Sequence, residues 1–482
     1  MASIPAATPA RADLPEVPFE RYTLPNGLTV ILHVDRTTPI VGVHVQYDVG
    51  AKNEKPGRTG FAHLFEHLMF QGTLHVPKGE ADRLVDAAGG DANGSTSQDT
   101  TQYWSQVPRN ALEQMIFVES DRMGWLLPTL GQEKLDNQRD VVRNERRQSY
   151  EMQPYGLAFE KLLAAVWDPA FPYHWMPIGT HEDLEAATLA DVREFFERWY
   201  GPQNAVLSIA GDLDVAETKR LVERWFGPIP GGARPENAVP APLLLREEKR
   251  LTMEDTVQLP RVYMAWQTPK LFAPGDAALD VLGQILSDGK SARLVSRMVM
   301  DERTAQGVSA GQMSQALASM FLVVATPKPG IPVERLERTI DEELARIAAA
   351  PPTREELERA KNKLEAGAVF SLEPVGGFGG RAATLANYQL RAGDPGYLDD
   401  DLARYRAVTS ADVSAAAREF LPKDRRVVLT VVPRPGEQAA PGTPPTPAPA
   451  RPPSPGAPST PAAPPPPGAP PTPPPASAGG AR

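Results

Sequence analysis

The feature that most restricts how this chain folds is that its order of elements occurs twice. Strands, a helix, a polar Gly-bearing turn, a second helix, further strands and long helices fill the first half. The same order returns after a Gly-, Pro- and Ala-rich stretch between Gly231 and Pro242. Ala205-Val-Leu-Ser-Ile-Ala-Gly211 is an apolar run fit for a buried strand, and Thr430-Val-Val-Pro433 stands in the second half where Leu207-Ser-Ile-Ala210 stands in the first. A repeated plan implies two similar bodies, each burying a sheet face under its own helices. The expected fold class is α+β, with two homologous halves, each an antiparallel-rich β-sheet packed with α-helices. The boundaries follow from composition: a flexible N-terminus over 1–17, a first domain over 18–230, a linker over 231–245, a second domain over 246–436 and a Pro/Ala-rich tail over 437–482. The tail has almost nothing to bury and is expected to be disordered.

Composition narrows the function. The 482 residues carry 50 basic and 60 acidic side chains, with no basic stripe interleaved with aromatics, so no nucleic-acid partner is expected. The absence of cysteine excludes disulfides, Cys-ligated zinc and thiol catalysis. No apolar run approaches the length of a transmembrane helix. The first ten residues lack the basic and apolar regions of a signal peptide. The expected compartment is cytoplasmic as the sequence is written, and periplasmic or secreted if a signal was removed or missed.

In the first half, Phe19 to Thr38 reads as a hairpin about Pro25-Asn26-Gly27. Ile40 to Val49 is another alternating strand, which makes His44 an ordinary strand residue. A polar loop over Lys52 to Gly60 then leads into His63-Leu64-Phe65-Glu66-His67. On a helix, His63 and His67 lie one turn apart on one face. Two neutral imidazoles at that spacing can hold one zinc ion. The order H-x-x-E-H is the inverted zinc-protease arrangement, with Glu66 placed to serve a hydrolytic water. The competing reading is a helix that happens to carry two histidines. With only seven His in the chain, two framing a Glu in an apolar helix favour the metal.

Such a site needs a third protein ligand, and without Cys it must be Glu, Asp or His. The charged helix from Gln132 to Met152 offers Glu133, Asp140, Glu145 and Glu151. Glu145 is attractive because Val141 and Val142 mark the nearby inward face, but the residues alone leave the choice open. His75 falls in a loop and is expected to face solvent. Asp91 to Ser97 and Thr100 to Val107 read as a strand pair. A polar, Gly-containing strand is weak in a sheet interior and suits an exposed edge, where an extended peptide can add itself by main-chain hydrogen bonds; a surface turn is the alternative. In the second half, Val257 to Gln267 reads as strand. Ala278 to Ser287 falls where the histidine helix would repeat, without its motif, so one metal site per chain is expected. Gly289-Lys290-Ser291 has Gln284 where a P-loop needs its first Gly, and Gly376-Gly-Phe-Gly-Gly380 reads as a flexible loop without the frame of a dinucleotide site.

These elements resemble the pitrilysin/insulinase group of zinc metallopeptidases, family M16, and most of all its shorter two-domain members such as the mitochondrial processing peptidase. The resemblance spans roughly Phe19 to Arg434. It rests on Leu24-Pro-Asn-Gly-Leu-Thr-Val, on Gly60 to Thr73 around the histidines, on Arg139-Asp-Val-Val-Arg-Asn-Glu-Arg-Arg-Gln, on Asn204 to Asp212 and on Ser291-Ala-Arg-Leu. It implies Zn2+ held by His63, His67 and Glu145, with Glu66 as general base for peptide-bond hydrolysis. It implies peptide binding along the edge strand at Asn93, Gly94, Ser95 and Thr96. Arg381 and Tyr388 resemble a pair that reaches the substrate carbonyl near the metal. Members often carry a further Glu where this chain has Gln138, which cannot ionise. The implied substrates are peptides or unfolded polypeptides, and the implied partner is a second chain of the family, as a homodimer or heterodimer. The competing implication is a scaffold subunit, since many relatives work in pairs with one inactive chain.

Overall fold

The computed structural model describes residues 17–236 and 239–435; the expected flexible N-terminus and disordered tail lie almost wholly outside the described residues. The first half contributes β1 (Glu20–Thr23), β2 (Thr29–Val34), β3 (Ile40–Tyr47), β4 (Asp91–Thr96), β5 (Thr101–Pro108) and β6 (Ala205–Gly211). Its helices are α1 (Phe61–Leu68), α2 (Glu80–Ala88), α3 (Leu112–Trp125), α4 (Gln132–Arg146), α5 (Ala158–Val166), α6 (His181–Ala186), α7 (Leu189–Trp199) and α8 (Val215–Phe226). The second half contributes β7 (Lys249–Asp255), β8 (Arg261–Thr268), β9 (Ala305–Met313), β10 (Ser319–Pro327) and β11 (Val427–Pro433). With them come α9 (Asp276–Ser287), α10 (Val333–Ala349), α11 (Arg354–Ser371), α12 (Arg381–Ala392), α13 (Leu398–Ala407) and α14 (Ser410–Phe420). The strand expected over Val257 to Gln267 is corrected: Val257 lies in the turn between β7 and β8, because the polar stretch ahead of Arg261 breaks the alternation.

The repetition is real in the topology. The first sheet runs β1-β2-β6-β3-β5-β4 and the second β7-β11-β8-β10-β9. The closing strand β6 lies parallel to β2 and antiparallel to β3, and β11 lies parallel to β7 and antiparallel to β8. The fold is therefore two equivalent α+β halves, with β4 and β9 as matching edges.

Each sheet has two buried faces, and the halves share the work of covering them. On β3, Val41, Val43, Val45 and Tyr47 alternate into the first core with Leu64, Phe65 and Leu68 of α1 and with Val222 and Phe226 of α8. Full burial of such a Leu or Phe contributes about 1.5 to 3 kcal/mol. The opposite face of that sheet is covered by the second half: Ile31 and Val206 pack on Leu385 and Ala386 of α12, and Ala210 packs on Ala382. The reciprocal contact places Ala158, Leu162 and Val166 of α5 on Tyr263, Ala265, Leu429 and Val431 of the second sheet. Each half thus lends one helix to the other's outer face. The Gly376–Gly380 stretch, expected as a flexible loop, is pinned there. Gly376 N–H donates to Gln106 Oε1 at 3.1 Å, and a Cβ on Gly42 of β3 would fall 2.8 Å from Gly376 Cα.

Candidate metal centre and active site

Helix α1 buries Phe61, Leu64, Phe65 and Leu68 and turns His63, Glu66 and His67 away from that core, as the 3.6-residue period requires. The imidazole centroids are 4.7 Å apart. Helix α4 packs alongside and brings Glu145 to them: its Oε2 lies 3.1 Å from His67 Nε2 and 3.7 Å from His63 Nε2. Among the described residues these three form the one cluster of His, Asp or Glu side chains able to hold a metal ion, with donor atoms all within 4.8 Å of one another. Ligands around a tetrahedral zinc with bonds of about 2.0 to 2.2 Å stand roughly 3.3 to 3.6 Å apart, so the donor set fits that ion. The inward face of α4 carries Leu135, Gln138, Val142 and Arg146; Val141, expected there too, is 40% exposed. Gln138 is buried one face-repeat before Glu145 and donates to Asn137 Oδ1 at 2.7 Å.

The electrostatics suit the same role. Burial pushes the His63 imidazolium down to about 4, against the pull of Glu145, so this ring is neutral and able to ligate. The Glu145 carboxyl is lowered by its hydrogen bond with His67 and by its electrostatic interaction with the two imidazoles, against its partial burial. Burial raises Glu66, while a hydrogen bond from Thr96 opposes that rise.

Strand β4 forms the free edge of the first sheet beside α1. Register with β5 pairs Gly94 with Tyr103 and Asn93 with Trp104, which puts Gly94 and Thr96 on the α1 side and Asn93 and Ser95 on the other. Gly94 is required by close approach, because a Cβ there would meet Phe70 at 3.1 Å, Tyr103 at 3.2 Å and Glu66 Cγ at 3.3 Å. Thr96 Oγ1 donates to Glu66 Oε2 at 2.7 Å. Thr96 therefore orients the acid on α1, a role not read from the sequence.

Two expected site residues are not brought to the metal cluster. Arg381 and Tyr388 lie on α12, across the first sheet from α1. Arg381 pairs with Asp35 at 2.6 Å, and the buried Tyr388 hydroxyl donates to Asp401 Oδ2 at 2.9 Å. The pair expected near the substrate carbonyl does not reach the metal cluster from within the same chain, because the sheet itself stands between. His75 is half-exposed rather than free in solvent, its Nδ1 2.5 Å from Asp121 Oδ1. His44 is a buried strand residue, as expected.

One functional residue was missed altogether. Glu54, 7% exposed, accepts from the N–H groups of Gly60 at 3.0 Å and Ala62 at 2.9 Å and from the Trp175 indole at 2.9 Å. It satisfies free donors at the start of α1. A Glu six residues ahead of Gly60 is outside the usual capping spacing, so no local signal marked it.

Residues 29–171 match the family model described as Insulinase (Peptidase family M16), and residues 186–364 match the one described as Peptidase M16 inactive domain. The chain belongs to peptidase family M16. Among its M16 relatives, zinc protease PqqE of Helicobacter pylori is 29% identical over 427 residues, covering 87% of this chain and 94% of that one. The mitochondrial-processing peptidase subunit beta of Blastocladiella emersonii is 24% identical over 428 residues, covering 86% and 89%. The crystal structure of a protease from Helicobacter pylori aligns with a TM-score of 0.79 at 28% identity, covering 87% of this chain and 100% of that one. The helix carrying His63, Glu66 and His67, and Glu145 on α4, both fall within the first matched segment. No helix among the described residues is long and apolar enough to cross a membrane.

Proposed function

We propose that this M16 chain is a zinc-dependent metalloendopeptidase that hydrolyses peptides or short unfolded polypeptides. The observation that carries the reading is the convergence of His63 Nε2, His67 Nε2 and Glu145 Oε2, with Glu66 beside them held by Thr96. His63, His67 and Glu145 would hold the zinc, whose chemistry there is that of a Lewis acid that polarises the scissile carbonyl and acidifies water. Glu66 takes a proton from the attacking water and delivers it to the leaving amine nitrogen. The free edge of β4, over Asn93 to Thr96, aligns the peptide by main-chain hydrogen bonds. The carbonyl oxygen receives no help from Arg381 or Tyr388 of the same chain.

The second reading is a scaffold or catalytic subunit that needs another M16-like chain. It is favoured by the position of Arg381 and Tyr388 on the far side of the sheet, where they are engaged with Asp35 and Asp401 and do not reach the β4 edge. One assay separates the two. The purified chain is tested alone on a quenched fluorogenic peptide, with and without 1,10-phenanthroline. Cleavage that phenanthroline stops supports the enzyme; no cleavage until a second M16-like chain is added supports the subunit.

A further inference from the structure

Resting on the peptidase reading, a further role can be argued for the turn between β4 and β5. There the two halves meet at one buried carboxylate. Asp99 is 6% exposed. Its Oδ1 accepts from the Tyr173 hydroxyl at 2.5 Å, and its Oδ2 accepts from the Ala316 N–H at 2.9 Å, in the turn joining β9 to β10. Arg391 of α12 lies 3.6 Å from the same oxygen. The Tyr173 hydroxyl in turn accepts from the Leu317 N–H at 3.1 Å. Two groups of the second half, the Ala316 N–H and Arg391, therefore close on this turn of the first, and the Leu317 N–H closes on the Tyr173 beside it. A carboxylate that gathers such donors away from water makes short, directional bonds of the stronger, charge-assisted kind.

The turn passes this anchorage on to the reacting region. Ser97 Oγ accepts from the N–H groups of Asp99 at 3.2 Å and Thr100 at 3.0 Å. Its carbonyl accepts from the Ala51 N–H at 3.2 Å, and its own N–H donates to the Thr100 carbonyl at 2.8 Å. The preceding residue is Thr96, whose hydroxyl is on Glu66. A continuous path thus runs from the β9–β10 turn through Asp99 and Ser97 to Thr96 and the acid on α1. We propose that Asp99 is a positioning residue: through it the second half sets β4 against α1, keeps Thr96 on Glu66 and holds the edge along which a peptide is laid. This gives the metal-free half a part in the reaction without any of its side chains touching substrate.

The test uses the full zinc-loaded chain with Asp99→Ala, Asp99→Asn and Tyr173→Phe. Three readouts are compared: deuterium uptake over residues 91–97 against 61–68, affinity for fluorescein-labelled casein in a Glu66→Gln background, and kcat and KM on the quenched peptide. Asp99→Ala is expected to raise uptake over 91–97, to raise KM and the casein Kd about tenfold and to lower kcat as Thr96 leaves Glu66, with zinc content little changed. Asp99→Asn keeps an acceptor for the Ala316 N–H and is expected to recover most of that loss. Unchanged uptake over 91–97 in Asp99→Ala overturns the coupling, whether or not the chain is a peptidase. Raised uptake with unchanged casein affinity overturns the positioning role, as do equal losses in both Asp99 variants accompanied only by a lower Tm. If Asp99→Ala does not fold, Tyr173→Phe, which spares the carboxylate, is judged by the same criteria. A wild-type chain that neither binds nor cleaves casein overturns the peptidase reading itself, while deuterium uptake still decides the coupling.

Discussion

Thr96 Oγ1 and Glu66 Oε2, 2.7 Å apart, join the edge strand of the first sheet to the helix that carries the histidines. The contact ties the surface suited to receive a peptide to the acid suited to move a proton. A hydroxyl donor to a partly buried carboxylate also orients it, leaving its second oxygen for other work.

Removing that donor isolates its effect. A hydrogen bond to a charged group contributes about 1.5 to 3 kcal/mol, so Thr96→Val is expected to lower kcat/KM roughly 10- to 100-fold. Zinc content should stay stoichiometric, and Thr96→Ser should restore most of the activity. Steady-state kinetics beside metal analysis check this; a Thr96→Ser variant as impaired as Thr96→Val would point to lost packing instead.

Glu66 and His67 are neighbours with separable roles. Glu66→Gln is expected to keep zinc and lose about 100- to 10,000-fold in kcat, the usual range for a proton-transfer group. His67→Ala removes one of three ligands and is expected to lose the metal on dialysis. Undiminished turnover in the first variant, or stoichiometric zinc in the second, would refute the assignment.

Glu54 predicts a pH dependence of stability. Burial pushes its carboxyl from 4.5 to about 8, against the N–H donors of Ala62, Gly60 and Trp175. Between those values the unfolded chain has released a proton that the folded chain keeps, so folding weakens as pH rises. The contribution is complete below pH 4.5 and gone above about 8, with a slope of at most about 1.4 kcal/mol per pH unit. Glu54→Gln should remove that slope, whatever it does to absolute stability. Urea unfolding of both proteins across the window measures it, and parallel curves would contradict the prediction.

Tyr388 separates a structural from a catalytic role. Its hydroxyl is buried and engaged with Asp401, which also meets Arg404. Tyr388→Phe is therefore expected to cost about 1 kcal/mol or more of stability and leave kcat within twofold. Thermal unfolding and kinetics on one preparation decide it. A large kcat loss at unchanged Tm would return Tyr388 to the reaction.

Local geometry made part of this site readable in the residues themselves. The spacing of His63, Glu66 and His67 has one consequence on any helix, because backbone periodicity alone puts the two rings on one face. Asn93 to Ser97 was legible only as an edge strand or a surface turn: a polar stretch with Gly has little to pack on both sides, which fits either. The order of strands in each half carried the duplication.

Other features arise only when distant segments pack. Glu145 stood among four acidic candidates on its helix, and only the seating of α4 against α1 brings its oxygen to both rings. Arg381 and Tyr388 share a helix face, yet nothing along α12 says which side of the first sheet that helix will cover. Glu54 and Asp99 look like ordinary acidic loop residues until folding buries them among N–H donors. The sequence by itself determined the motif helix and the repeated plan, because those depend on local spacing and on the order of elements along the chain. The tertiary structure alone decided the approach of Glu145 to both imidazoles, the exchanged helices and the buried carboxylates, because each depends on desolvation and packing between segments far apart in the chain.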